Sequence, residues 1–273
     1  MIPFTDGHRR RTLTALAVSA LCPFAAACGD TAAPDQERAA TPHVRVVALG
    51  DSETSGNGDP TGAGWVGRYA DLLRKREGLK VDVANLAVEG KTSADLLADL
   101  RSDPRTRTAV RGAQIVLFGI GGADLNDGDD AFEAGQCRME RCYAPVLEAF
   151  ARNFEATVAE VHKLRGSEET ALRATTMPNA LTGAEDVIPP FLRPVSTRLG
   201  TYMAKTANRA ICGTMTKYDG QCIDVLRAFN GRAGAENAYD TGLLNHEDCC
   251  YASGKGQQLM AELLLDTGLA PVR

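Results

Sequence analysis

The chain has 273 residues, 44% of them apolar and only 5% aromatic, with a formal net charge of −5. That length and apolar content suit one large domain with a sizeable core. The acidic balance argues against nucleic acid as a partner, which would call for cationic surface.

At the amino end, Arg9, Arg10 and Arg11 precede the apolar stretch from Leu13 to Phe24, and Ala25-Ala26-Ala27-Cys28 follows. This is the layout of a secretory signal, and the apolar stretch is too short to span a membrane as a stable helix. Residues 1–27 therefore read as a signal peptide. Cys28 behind three alanines resembles a bacterial lipoprotein cleavage site, at which Cys28 would be acylated; the usual leucine three residues earlier is Ala25, and simple secretion is the other reading. Residues 28–43 lack apolar periodicity and form a tether to the folded domain, 44–273. The expected location is exported, either lipid-anchored at the cell membrane or secreted.

Val44 to Leu49 is a short, β-branched run that stops at Gly50-Asp51-Ser52, so it reads as a buried parallel strand with Ser52 at its carboxyl end. In open α/β sheets ligand crevices form there. Trp65 to Arg76 carries apolar residues at helical spacing, and Leu79 to Leu86 is a second strand leading into a loop with Gly90. Ser93 is a suitable N-cap for a helix through Leu96, Leu97 and Leu100 that stops before Pro104. Gln114 to Ile120 is the most apolar strand. A long helix begins near Ala144, with Pro145 at its first position and Gly166 at its end. Ala171 to Thr176 forms a fourth strand, Tyr202 to Ile211 a helix, Cys222 to Leu226 a fifth strand, and a closing helix runs through Leu259, Met260, Leu263 and Leu264. Five strands alternating with helices predict a three-layer α/β/α domain around a central, mostly parallel sheet.

Beyond Cys28 lie Cys137, Cys142, Cys212, Cys222, Cys249 and Cys250. An even number in an exported chain suggests disulfides, with Cys137 to Cys142 and Cys212 to Cys222 the simplest pairs. Adjacent Cα atoms lie ~3.8 Å apart, below the ~4.4 to 6.8 Å that disulfides prefer, so a Cys249–Cys250 bond is strained or the two have other partners. No metal-ligand spacing or cofactor motif appears, and adjacent cysteines lack the Cys-x-x-Cys spacing of a redox site.

Gly50-Asp51-Ser52, followed by Thr61-Gly62-Ala63-Gly64-Trp65, then Gly90, then Gly121-Gly122-Ala123-Asp124, and finally Asp248-Cys249-Cys250-Tyr251-Ala252-Ser253-Gly254-Lys255-Gly256, together resemble the blocks of the SGNH hydrolases, the GDSL-type esterases and lipases. The family pattern has an apolar residue at Glu53, Gly-x-Asn-Asp in the third block, with Ala123 here at the Asn, and Asp-x-x-His-Pro-Ser-x-x-Gly in the last, with Tyr251 at the His. The resemblance implies an SGNH or flavodoxin-like fold in which Ser52 is the nucleophile and Asp248 orients the base. The backbone amides of Ser52 and Gly90 would serve as oxyanion donors. Asn126 is a candidate for the missing side-chain donor, and His246 a candidate base if its loop folds back. Two readings follow: an exported serine ester hydrolase with an altered catalytic set, or a catalytically impaired relative that binds an acyl or glycan ligand at the cell surface. Either would meet a small-molecule ester, a lipid or an acylated glycan.

Overall fold

The computed structural model describes residues 41–186, 188, 190, 192–247 and 250–272. The expected leader, Cys28, most of the tether, Asp248 and Cys249 lie outside them.

Strand β1 (His43–Gly50), helix α1 (Ser52–Ser55), α2 (Gly64–Arg76), β2 (Lys80–Asn85), α3 (Ser93–Ser102) and α4 (Pro104–Arg111) make the first half. Strand β3 (Ile115–Gly119), α5 (Asn126–Glu133), α6 (Glu140–Arg165), β4 (Ala171–Thr175), α7 (Ser196–Lys217), β5 (Gln221–Ile223), α8 (Val225–Asn230) and α9 (Gly254–Asp266) follow. The strands form one sheet in the order β2-β1-β3-β4-β5, and every pairing is parallel. Helices cover both faces, with α2 against α9 in one layer and α6 against α3 and α7 in the other. Val46 to Gly50, all of β3 and all of β4 are buried, as a parallel sheet covered on both faces requires. Trp65, Tyr69 and Leu73 of α2 are nearly inaccessible, as are Phe118 on β3 and Phe150 and Phe154 on α6. The Phe118 and Phe154 rings meet edge to face at 5.9 Å.

The first strand, the Trp65 helix and the closing helix lie close to where the sequence puts them. Other expectations need correction. Thr92, not Ser93, caps α3, and Asp95 returns a bond to the Thr92 backbone, so the local pair decides the boundary. Pro104 does stop α3, but it also opens α4, where Asp103 accepts from the Arg105 and Thr106 amides. Helix α6 starts at Glu140 rather than near Ala144, leaving Pro145 inside it. Helix α7 extends well beyond Tyr202 to Ile211 at both ends. Strand β5 is cut short because Asp224 caps α8 by accepting from the Arg227 amide. Cys137–Cys142 and Cys212–Cys222 are disulfide-bonded, each with Cα atoms 5.3 Å apart, and Cys250 is disulfide-bonded as well. No helix among the described residues is long and apolar enough to cross a membrane.

Candidate active site

The chain passes from β1 to β2 on one side and returns to β3 on the other, so the sheet's switch point lies between β1 and β3, whose ends pair at Gly50 and Gly119. Asp51 ends β1 by donating its amide to the Gly119 carbonyl at 3.1 Å. Its carboxylate accepts from the amides of Gly121 and Gly122, both at 3.0 Å, and caps α1 by accepting from Glu53 at 3.3 Å. Thr54 Oγ1 also donates to the Gly119 carbonyl, at 2.6 Å, while Asn85 Nδ2 donates to the Thr54 carbonyl at 2.8 Å. The one-turn helix that carries Ser52 at its start is thus held by the neighbouring strands on both sides. It stops at Gly56, whose φ of 107° is the left-handed conformation that glycine adopts freely.

Ser52 is half-buried and opens onto a cavity of about 480 Å³. Gly90, in the turn after β2 with φ 74°, lines the same cavity, as do Ala123, Asn126 and Tyr251. The structure therefore brings together Ser52, Gly90, Asn126 and Tyr251. It does not bring His246 among them: that side chain is exposed and its ring lies 4.8 Å from the ring of Tyr239. Among the described residues no histidine lines the cavity, since His43 pairs with Asp82 on the sheet edge and His162 faces Tyr218. The Ser52 hydroxyl has no hydrogen-bond partner among the described residues. No group of three His, Cys, Asp or Glu side chains among them is placed to hold a metal ion.

Two residues matter here that sequence reasoning passed over. Glu53 reaches the last block: its carboxylate accepts from the Ala252 amide at 3.1 Å and from Gln257 Nε2 at 2.7 Å. The motif's proline would have no amide at position 252, so the acidic residue at 53 and the alanine at 252 are two halves of one contact. Asp124 accepts from the Ser93 amide at 2.9 Å and from its hydroxyl, joining the β3 turn to the start of α3. The motif's Asp beside Ala123 was the available signal for that role.

Burial pushes the Asp51 carboxyl up to about 6 even though the amides of Gly122, Gly121 and Glu53 favour its anion. Burial likewise raises Asp124 and Asp129. Asp59 behaves oppositely: burial opposes its charge, but Arg68, bound at 2.9 Å through both nitrogens, and Thr61 hold it down to about 2. Because the folded state holds the Asp51 proton more tightly than the unfolded chain, its contribution to stability is complete below 3.8 and lost as pH rises through 6. At ~1.4 kcal/mol for each unit, Asp51→Asn is expected to remove a pH-dependent loss of about 3 kcal/mol across that window. Urea unfolding at intervals across it measures this; equal slopes in the two proteins would show that Asp51 is not the buried acid described.

The GDSL-like Lipase/Acylhydrolase family model matches residues 48–257, a span that runs from β1 into α9. The chain belongs to this family. Its fold is shared with solved lipases and esterases. The lipase Lip_vut3 from a goat rumen metagenome is 20% identical, with a TM-score of 0.69 over 84% of this chain and 100% of that one. Axe2, an acetylxylan esterase from Geobacillus stearothermophilus, is 20% identical with a TM-score of 0.57 over 85% and 98%. A lipase/acylhydrolase from Enterococcus faecalis is 17% identical, at 0.55 over 84% and 97%. A curated relative, the uncharacterized protein YpmR of Bacillus subtilis (strain 168), is 37% identical over 131 residues, which are 46% of this chain and 49% of that protein. The match thus spans about half the length of that relative.

Proposed function

We propose that the protein is an exported serine ester hydrolase of the SGNH type with an altered catalytic set. The observation that supports this is the meeting of Ser52 and Gly90 in one cavity over the switch point. In this reading Ser52 Oγ attacks the ester carbonyl carbon, the alcohol leaves, and water releases the acid from the acyl-serine. Backbone amides at Ser52 and Gly90 bind the oxyanion. Asn126 lines the same cavity and is the proposed side-chain donor in place of Ala123. Asp248 is the proposed orienting acid from its place in the motif, Tyr251 occupies the motif's histidine position, and the exposed setting of His246 makes it the weaker proposal for a base. The Cys137–Cys142 and Cys212–Cys222 disulfides support export, and acylation of Cys28 is the proposal drawn from its flanking residues. The mass of the mature protein's first peptide tests both.

One observation favours the second reading, a protein that binds an ester or acylated ligand without turning it over: no histidine among the described residues lines the cavity. Loss of the base costs on the order of 10⁶ in kcat, far more than one missing oxyanion donor at 10² to 10³. Hydrolysis of p-nitrophenyl acetate and butyrate by the purified protein, against Ser52→Ala, separates the two. Turnover that disappears in Ser52→Ala supports hydrolysis, and turnover equal to it retires hydrolysis in favour of binding.

A further inference from the structure

The cavity has two unlike halves. Asp51, Glu53 and Glu89 come with Ser52 from the chain just after β1 and β2, Asp129 comes from α5, and no lysine, arginine or histidine among the described residues lines the cavity. Its apolar side chains include Ile120, Met177, Leu181, Leu192, Met203 and Met260, supplied by the ends of β3 and β4, the segment before α7, and helices α7 and α9. Ile120, Leu192, Met203 and Met260 are buried. The end of β4 lies two strands, about 10 Å, from the end of β1 that carries Ser52, and the lining supplied from β4 onward is the far half of the cavity.

Polar atoms also line the far half, but the protein already occupies them. Thr176 Oγ1 accepts from the amides of Val225 at 2.8 Å and Leu226 at 3.3 Å. Asn179 Nδ2 donates to Thr182 Oγ1 at 2.8 Å and to the Gly234 carbonyl at 3.0 Å, and its Oδ1 accepts from the Leu181 amide at 3.2 Å. A sugar ring there would lose its water without gaining partners. Tyr251 is the only aromatic side chain lining the cavity among the described residues, so stacking surface is small as well. An acetyl group would leave most of the 480 Å³ empty. An alkyl chain would fill it, and three flexible methionines can adapt to its shape.

We propose that the far half of the cavity holds the straight acyl chain of a neutral ester, several methylenes long, and that acetylated sugars are not its ligands. This deepens the reading of Ser52 as the site of acyl transfer, and holds equally if the site only binds. Four carboxyl groups and no cation among the described residues of the lining make the site unfavourable for an anionic ligand, so the intact ester is preferred to its carboxylate product.

The test uses Ser52→Ala, so that binding is measured without turnover, with methyl butyrate, methyl octanoate, methyl laurate and an acetylated xylo-oligosaccharide as calorimetric probes. Affinity is expected to rise about four-fold with each methylene from butyrate to octanoate, with the sugar weakest. Ala204 is buried on α7 and lines the cavity, so adding Ala204→Phe should shift preference toward butyrate by about ten-fold or more. Adding Met203→Ala should move the best fit toward laurate, and it carries the test alone if Ala204→Phe fails to fold. Affinity independent of chain length, or tighter binding of the sugar, overturns the proposal. Chain-length-dependent binding with no ester turnover by the unmodified protein would retire hydrolysis and keep the chamber. Ser52-dependent turnover of an acetate ester with a flat binding series would do the reverse.

Discussion

Tyr251→His is expected to raise turnover of p-nitrophenyl butyrate by on the order of 10² to 10⁴, the part of the ~10⁶ lost with a triad base that one positioned general base restores. Tyr251 stands where the family motif carries its histidine, and the structure puts it in the wall of the cavity that Ser52 opens onto. The Glu53–Ala252 bond ties the next residue to the turn that carries Ser52, so the segment is already anchored to that turn. Histidine is the side chain that most often takes this proton-accepting role, and a phenol is a poor substitute for it. Adding Ala123→Asn, at a position that lines the same cavity, is expected to give a further 10² to 10³ by supplying an oxyanion donor. If Asn126 already serves as that donor, Ala123→Asn will add little and Asn126→Ala will remove what activity there is. Steady-state rates on the single and double variants decide this. Variants that fold like the parent but gain nothing would show that position 251 does not stand where a base can reach Ser52.

The largest loss of stability is expected from Gly50→Ala. A Cβ at Gly50 would lie 2.1 Å from the Gly119 carbonyl oxygen and 2.5 Å from Thr54 Oγ1. Neither neighbour can withdraw, because that carbonyl accepts from Asp51 and Thr54 and belongs to a fully buried strand. The strands would have to separate at the switch point, which we expect to cost about 4 kcal/mol or more, at the extreme of single substitutions. Gly213→Ala is the matched control: Gly213 is exposed on α7, nothing lies within 4 Å of its added Cβ, and replacement should stabilise by up to ~1 kcal/mol. Urea unfolding of both measures the contrast. A Gly50→Ala protein as stable as the parent would mean that β1 and β3 do not approach as closely as described.

Much of this architecture was legible beforehand because its signals are local. A β-branched run ending in a tight turn marks β1, and apolar spacing of three and four marks α2 and α9, whatever the rest of the chain does. The errors fell where two local signals competed. Thr92 and Ser93 can each cap a helix, and only the reciprocal bond with Asp95 selects Thr92. Pro104 can end one helix or begin the next, and here it does both. Burial, by contrast, cannot be read from a pattern that core and ligand chamber share: Met203 and Leu192 look like ordinary core positions until the ends of β3, β4 and α7 enclose a space between them.

The site divides along the same line. Residue order by itself determined that Ser52 ends the first strand, that Gly90, Asp124 and the last block follow in family order, and that histidine and asparagine are missing from two of those blocks, because identity and spacing are properties of the chain. Only the tertiary structure decided that His246 packs on Tyr239 away from the cavity and that Asp51 is buried enough to hold its proton up to about 6. It alone showed that Glu53 and Ala252, 199 positions apart, share a hydrogen bond. Burial, desolvation and contacts across such separations come from packing the sheet between its two helical layers, and no local stretch of sequence carries them.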